Sequence, residues 1–246
     1  MKMISFHSMV RGSGKSALVV KAAKFLADQG HQVLLLDGYL YEIGGLHHNI
    51  AKIFGTWPTC EHGHNLYDII EDYQTLHQAH LDPAAELAPQ TLGLLNLPAV
   101  KSLHGRLMPE VIQRAVPVPT QERIHFLPGN HGDVLELLAP IDFDHLFDAQ
   151  QGGQFFQFLK DEWSEHYDYV LCNANTGYDS FSGIICGQLA DLLLAVDMDY
   201  NGGPVNPSYS ACLRLACRAT QAGFRPVPVK SIKTHDVNTV AQILAE

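Results

Sequence analysis

The sequence predicts an α/β protein with a single doubly wound, mostly parallel β-sheet and helices on both faces. A short apolar strand at the start runs through a glycine-rich turn into an amphipathic helix, and strand and helix patterns then alternate to the end of the chain. No internal repeat, low-complexity segment or linker interrupts the 246 residues. We therefore expect residues 1–246 to form one domain, a normal size for this class of fold.

The first three elements form one structural unit. Met3–His7 is predicted to be a strand, Lys15–Gln29 a helix and Gln32–Leu36 a buried strand. Apolar residues in the helix recur at 3.6-residue spacing, and Gly30 suits the position just after a helix end. A strand, a glycine loop, a helix and a second strand make the βαβ unit of a parallel sheet.

The middle of the chain gives weaker patterns. Residues 39–63 are rich in glycine and histidine and are expected to be irregular, whereas Leu66–His80 has helical periodicity. Residues 81–119 are expected to form short helical pieces separated by prolines. A strand over Arg123–Leu127 then ends in a Pro-Gly-Asn turn.

The second half of the chain alternates regularly between the two kinds of element. The predicted elements are a helix at Phe143–His166 with a break near Gly152-Gly153, a strand at Tyr167–Cys172, a helix at Ser182–Ala190, a strand at Leu192–Met198, a helix at Pro207–Ala222, a strand at Pro226–Ile232 and a helix at Val237–Ala245.

Charge and hydropathy limit the classes of partner and compartment. The formal net charge is −10 and only 16 residues are Lys or Arg. Nucleic-acid binding is therefore not expected, because it depends on neutralising phosphates with basic side chains. With no signal peptide and no membrane-spanning apolar run, we expect a cytoplasmic protein without a membrane partner. The five scattered cysteines are expected to be buried thiols.

The turn after the first strand carries the strongest functional motif. Residues 9–16 match the phosphate-binding pattern G-x-x-x-x-G-K-[ST] except for Met9 at the first glycine. In this pattern the glycines turn backbone N–H groups toward phosphate, the lysine neutralises the β- and γ-phosphates, and the final hydroxyl binds Mg²⁺. The alternative is a glycine turn without a ligand. The predicted nucleotide-binding residues in this turn are Arg11, Gly12, Ser13, Gly14, Lys15, Ser16 and Ala17.

Two polar residues at strand ends extend this prediction. Asp37 closes the second strand, where ligands bind in open α/β sheets, and we assign it with Ser16 to the metal and with Lys15 to catalysis. The alternative for Asp37 is a loop carboxylate that caps a turn. Asn173 ends a later strand at a position suited to an acid. Its amide can hydrogen-bond a metal-bound water but brings no charge, and we include it in the nucleotide site.

Two longer segments resemble the ParA/MinD-type (deviant Walker A) P-loop ATPases, and in particular a bacterial branch with KGGVGR or KGGVGK P-loops. The first is MISFHSMVRGSGKS followed by VLLLDGYLYEIGGL, and the second is GGQFFQFLKDEWSEHYDYVLCNANTGYDSFSGIICGQLAD. The resemblance covers nearly the whole chain. It implies a dimer that closes on ATP and Mg²⁺, with slow hydrolysis that acts as a switch and often depends on a partner protein.

The chain departs from the family pattern at three functional positions. The family's signature lysine falls at Val10, the second acid of its D-x-D motif at Tyr39, and its Walker B acid at Asn173. Arg11 is the candidate substitute for the lysine. We therefore expect an ATP- and Mg²⁺-binding protein with weak or lost hydrolysis, acting as a switch or scaffold subunit. It would work with a second copy or with a partner protein that supplies the missing charge.

Two other functions remain as alternatives at this point. One is an active, slow ATPase of the partitioning or positioning type, and the other is an ATP-dependent small-molecule ligase of related fold. In the resembling family, the loop that contains Thr176, Gly177 and Asp179 senses the γ-phosphate, although a plain strand-to-helix turn also fits this segment.

One cluster of possible metal ligands stands outside this site. Cys60, His62 and His64 lie close in sequence, but their spacing matches no zinc module. We expect residues without a ligand here, with a structural zinc site as the alternative.

Overall fold

A single mixed sheet organises the chain. The computed structural model describes residues 1–41, 45–58, 65–81, 115–130, 140–197, 207–221, 223, 225–233 and 237–245. The seven strands stand in the order β3-β4-β2-β5-β1-β6-β7, and every neighbouring pair is parallel except β3 and β4. The strands are β1 (Lys2–His7), β2 (Val33–Asp37), β3 (Val116–Val118), β4 (Gln121–Leu127), β5 (Tyr169–Asn173), β6 (Leu192–Asp197) and β7 (Val229–Lys233). The predicted α/β class with a mostly parallel sheet is confirmed.

Helices connect the strands within the described residues. They are α1 (Lys15–Asp28), α2 (Gly45–Phe54), α3 (Leu66–Leu81), α4 (Phe143–Ala149), α5 (Gly152–His166), α6 (Ser180–Gly183), α7 (Pro207–Gln221) and α8 (Val237–Ala245). Helix α6 continues directly into a π-helical turn, Ile184–Leu189.

Alternate strand side chains enter two separate hydrophobic cores. Leu34 and Leu36 belong to a cluster that includes residues of α3, α5 and α7. Val33 and Leu35 belong to a second cluster with residues of α1, α2 and α8. Because successive strand side chains point to opposite faces, one apolar run in β2 supplies both cores.

The structure corrects two predictions in the middle of the chain. Residues 39–63 are not irregular throughout, since they contain α2, whose Leu46 and Ile50 are fully buried one helical turn apart. The glycines and histidines of this segment hid that spacing. The end of the proline-rich segment forms β3, an antiparallel edge strand with Pro117 at its centre, where a residue without an N–H is tolerated. Residues 82–114 lie outside the described part.

Several element boundaries in the second half differ from the predictions. Strands β5 and β7 begin at Tyr169 and Val229, two and three residues later than predicted, and two helices also differ. The break predicted at Gly152-Gly153 falls just before them, at Gln151, whose φ of 56° separates α4 from α5. A Cβ at Gly152 would lie 2.9 Å from the Leu146 carbonyl oxygen, so the helices cross closely there. The helix predicted at 182–190 begins earlier, at Ser180, and its second part has π geometry.

Cysteine burial follows the prediction with one exception. Cys172, Cys186 and Cys212 are buried free thiols, but Cys217 is exposed on α7. Cys60, with His62 and His64, lies outside the described residues.

The described residues contain neither a membrane-spanning helix nor a cluster of metal ligands. Throughout the described segments, no helix has both the length and the hydropathy needed to cross a bilayer. The same residues contain no group of three His, Cys, Asp or Glu side chains placed to hold a metal.

Candidate nucleotide-binding site

Sheet order brings the predicted polar residues to one edge. Strand β5 lies between β2 and β1, and Asn173 pairs in register with Asp37 on one side and with Phe6 on the other. The glycine turn leaves β1 directly after His7. All three strands are parallel, so their carboxyl ends meet where open α/β sheets bind ligands.

The glycine turn has the backbone conformation that a phosphate cradle requires. Gly12 and Gly14 have φ values of 74° and 75°, in the left-handed region that side chains other than glycine rarely adopt. Gly14 is the N-cap of α1 and makes no side-chain capping bond, and the first helical residues, Lys15, Ser16 and Ala17, line the cleft. A Cβ at Gly12 would meet no atom within 4 Å, which leaves open space beside the turn. The turn therefore fits an anion.

A cleft of about 360 Å³ opens above this turn. It brings together all of the predicted turn residues, from Arg11 to Ala17, and adds Gly45 and Asn49, which the sequence analysis did not name. The full lining is Val10, Arg11, Gly12, Ser13, Gly14, Lys15, Ser16, Ala17, Tyr39, Gly45, Asn49 and Thr176. Asp37 and Asn173 do not line the cleft; they are buried behind Ser16.

Lys15 is buried at the base of the cleft. It is 3% exposed and its ammonium donates a hydrogen bond to the Ala174 carbonyl. Its Nζ also lies 5.2 Å from the centre of the Tyr39 ring, within cation–π range. Burial lowers the pKa of Lys15 to about 8, and the nearby Asp37 carboxylate opposes that shift. At this pKa the ammonium is still mostly charged at neutral pH, and a phosphate in the cleft would raise the pKa again by pairing with it.

A hydrogen-bonded chain links three side chains behind the turn. The Ser16 hydroxyl donates to Asn173 Oδ1 at 3.3 Å, and Asn173 Nδ2 donates to Asp37 Oδ1 at 3.0 Å. Burial raises the pKa of Asp37 to about 7, against the effects of the Asn173 hydrogen bond and the Lys15 charge. Asp37 Oδ2 is buried without a hydrogen-bond donor among the described atoms.

This donor set fits a magnesium ion. Mg²⁺ prefers hard oxygen ligands and retains several waters, and it is usually held by one or two protein groups together with substrate phosphates. Ser16 Oγ and the carboxylate of Asp37 are oxygen donors of that kind. The orphaned Asp37 Oδ2 is a buried acceptor that a metal-bound water would satisfy.

The loop after β5 is held to the cleft by three side chains from other elements. The Tyr39 hydroxyl lies 2.9 Å from Thr176 Oγ1, His7 Nε2 donates to the Gly177 carbonyl at 2.7 Å, and Lys15 binds Ala174. Burial lowers the pKa of His7 to about 4, so this imidazole is neutral at physiological pH. The position of the loop therefore depends on residues that line or adjoin the cleft.

Asp179 has a helix-capping role in the same loop. Its Oδ1 accepts a hydrogen bond from the Ser182 backbone N–H at 2.6 Å, which makes it the N-cap of α6. Asp179 therefore has a structural role in a strand-to-helix turn, which is the alternative to phosphate sensing for this loop.

Sequence reasoning missed three residues around the cleft. His7 gave no signal beyond its place at the end of β1. Gly45 begins α2 so close to Ser16 that a Cβ would lie 2.6 Å from the hydroxyl oxygen. Asn49 Nδ2 donates to the Gly45 carbonyl at 2.6 Å and fixes that helix start. Recognition of α2 from its apolar spacing would have pointed to the last two.

Comparison with known proteins identifies the fold. No protein-family model and no curated protein matches the sequence. Among solved structures, apo McdA of Cyanothece is similar with a TM-score of 0.55 and 17% identity over 95% of this chain and 72% of the other. The ATP complex of a Cyanothece McdA point variant is similar with a TM-score of 0.50 and 16% identity, over 100% of this chain and 79% of the other. A plasmid partition protein from Borrelia burgdorferi is similar with a TM-score of 0.51 and 14% identity, over 99% of this chain and 85% of the other.

These similarities establish the architecture of the chain. It has the fold of the ParA/MinD-type P-loop ATPases, with the seven-stranded, mostly parallel sheet described above.

Proposed function

We propose that this protein binds ATP with Mg²⁺ in the P-loop cleft and hydrolyses it weakly or not at all, acting as a nucleotide-dependent switch or scaffold subunit. One observation carries the proposal. Lys15, Ser16 and Asp37, the groups that we expect to hold phosphate and metal, lie together at the P-loop, whereas Tyr39 and Asn173 place neutral side chains where the resembling ATPases have acids.

The binding half of the proposal rests on the turn and its lysine. The left-handed glycines and the start of α1 present N–H groups to an anion, and Lys15 at the cleft base supplies a cation. Mg²⁺, when bound, would supply positive charge to neutralise the phosphates, and Ser16 and Asp37 would hold it, Asp37 through a metal-bound water. The ATP complex of a protein with the same fold supports ATP as the nucleotide.

Weak hydrolysis is expected because Tyr39 and Asn173 make neutral hydrogen bonds at positions where the resembling ATPases have carboxylates. The Tyr39 hydroxyl is engaged with Thr176, and the Asn173 amide is engaged with both Ser16 and Asp37. Neither side chain presents a carboxylate to orient an attacking water. Loss of an outer-shell metal partner typically costs about 10–100-fold, and loss of a charge acting in trans on the transition state about 10³–10⁵-fold.

An active, slow ATPase is the second candidate. Asp37 is retained in register with the Walker B position, and Arg11 is exposed at the cleft where it can contact phosphate. In that case Arg11 replaces the cation that Val10 lacks, since a guanidinium binds phosphate in a bidentate way.

Calorimetric titration with ATP and Mg²⁺ tests the binding site. We expect wild-type protein to bind and Lys15→Ala to lose measurable binding, whereas Lys21→Ala, an exposed change on the same helix, binds normally. Unchanged affinity in Lys15→Ala would show that the cleft is not the nucleotide site. Phosphate release measured in parallel distinguishes the two candidates, and a turnover of ~10 s⁻¹, the median for enzymes, would contradict weak hydrolysis.

A further inference from the structure

A second and larger cleft lies between three helical elements, and its lining shares no residue with that of the P-loop cleft. Its volume is about 570 Å³, and α4, the α6–π segment with the loop before it, and α7 all contribute to its walls. We call it the α4–α7 cleft. A cleft of this size accommodates several side chains of a ligand.

The floor of the α4–α7 cleft is apolar. Ile184 and Leu215 are each 7% exposed there, and Phe143 and Phe147 are half-buried against the same core cluster. These side chains form the outer layer of the core. Large half-buried apolar groups in a concave surface are typical of binding sites.

The rim of the cleft is mainly acidic. Asp144 and Asp148 stand one turn apart on α4 and are exposed, and Asp179 lines the cleft from the loop before α6. Arg218 is the one cation lining the cleft among the described residues. Three carboxylates against one guanidinium favour an occupant with positive charge.

The wall of the cleft also contains two acceptor atoms without donors. Asp179 Oδ2 and Gln188 Oε1 are buried, and neither has a hydrogen-bond partner among the described atoms. Both residues line the cleft, but these two oxygens have almost no accessible surface. The carboxylates that a Lys or Arg side chain of an occupant reaches are therefore those of Asp144 and Asp148.

We propose that the α4–α7 cleft is the docking site for a basic amphipathic segment of a partner protein, with apolar side chains on the Ile184–Leu215 floor and Lys or Arg at the acidic rim. A second copy of this chain is a poorer occupant, because two surfaces of a chain with net charge −10 would bring carboxylates together. This function is separate from nucleotide binding, and its test requires no nucleotide.

Gly183 allows the cleft to be closed by substitution. It lines the cleft, its φ and ψ are −59° and −41°, and a Cβ there would meet no atom within 4 Å. Gly183→Phe therefore places a ring in the cleft from an unstrained helical position. Gly183→Ala is the matched control, since it makes the same backbone change without filling the cleft.

Fluorescence anisotropy with a labelled helical peptide of about 14 residues, built from leucine and lysine, tests the proposal. The peptide is expected to bind wild type and Gly183→Ala, and to bind Gly183→Phe at least about tenfold more weakly. The double variant Asp144→Asn/Asp148→Asn should weaken binding about three- to tenfold. A peptide with glutamate in place of lysine should not bind.

A control on another surface separates docking from general attraction to an acidic protein. Asp161→Asn/Glu165→Gln removes two exposed charges one turn apart on α5, and is expected to leave peptide affinity unchanged. No binding, or equal binding to wild type and to a folded Gly183→Phe, would overturn the proposal. A wild-type dimer in sedimentation that Gly183→Phe dissociates would overturn it in favour of a second copy.

Discussion

The side-chain amide of Asn173 donates a hydrogen bond to the buried carboxylate of Asp37 at 3.0 Å. Asp37 lies at the end of β2 and Asn173 at the end of β5, paired in register. In this arrangement a neutral donor occupies a position suited to a metal-site acid. The Asn173 amide stabilises the Asp37 carboxylate in the absence of metal, because it donates a hydrogen bond from a position where a second carboxylate would repel Asp37.

Asn173→Asp is expected to destabilise the metal-free protein by about 1–3 kcal/mol, because Asp37 loses the hydrogen bond from the Asn173 amide and gains a like charge. Mg²⁺ should recover part of that loss, since two carboxylates bind the cation. Urea unfolding with and without Mg²⁺ measures both effects. Asn175→Asp is the control, because it keeps the side-chain acceptor for the Thr176 N–H. A variant as stable as wild type without Mg²⁺ would contradict this role of Asn173.

Asp37→Asn should change how stability depends on pH. The folded-state pKa of Asp37 is raised from 3.8 to about 7, so between these values the native state holds a proton that the unfolded state has released. Wild-type stability from this group therefore falls as pH rises from about 4 to 7 and is constant above.

The difference between variant and wild type isolates that contribution. The lowered pKa of His7, about 4, acts in the opposite direction between pH 4 and 6.5, but it is present in both proteins. The stability advantage of Asp37→Asn should grow from pH 4 to 7 in urea titrations. A pH-independent difference would show that Asp37 has an ordinary pKa.

Restoring both acids should raise the hydrolysis rate. In Tyr39→Asp/Asn173→Asp the two neutral groups become carboxylates, and we expect phosphate release at least about tenfold faster than in wild type. Tyr39→Phe removes the hydroxyl contact with Thr176 without adding a charge, so it controls for loss of that contact. Equal rates in the double variant and in Tyr39→Phe would show that the missing acids do not limit hydrolysis.

Arg11 is expected to decide how the protein assembles on ATP. With Val10 in place of a lysine, a dimer closed over the cleft needs another cation, and Arg11 is exposed at the cleft edge. If the chain pairs with itself, light scattering should show an ATP-dependent dimer that Arg11→Ala loses and Lys21→Ala keeps. If a partner protein supplies the cation, the chain stays monomeric with ATP and binds that protein in pull-downs.

Absence of both results would remove support for assembly at this face. In that case, light scattering would show a mass that does not change with ATP, and pull-downs would recover no nucleotide-dependent partner.

Local patterns in the sequence were sufficient for the βαβ unit and the phosphate turn. The order of strand, glycines, lysine and helix specifies a short-range structure, because the backbone needs left-handed residues at Gly12 and Gly14 and a helix start beside them. The apolar runs of β2, β5 and β6 were also found, since a parallel strand covered on both faces must be apolar throughout.

Local patterns failed where packing between distant segments determines the structure. Helix α2 forms although its segment is rich in glycine and histidine, because Leu46 and Ile50 are buried in the core shared with α1. Edge strand β3 depends on pairing with β4, and the π-helical turn after α6 is a local departure that periodicity does not indicate.

The sequence by itself determined the fold class, the phosphate turn and the three neutral residues, Val10, Tyr39 and Asn173, at positions where the resembling family has charged ones. Only the tertiary structure decided that Asn173 bridges Ser16 and Asp37, that Tyr39 lies over Lys15, and that an acidic, apolar-floored cleft opens between α4 and α7. The physical reason is distance along the chain. A turn is specified by neighbouring residues, whereas the Asp37–Asn173 contact joins residues 136 positions apart and exists only after the sheet has placed β2 beside β5.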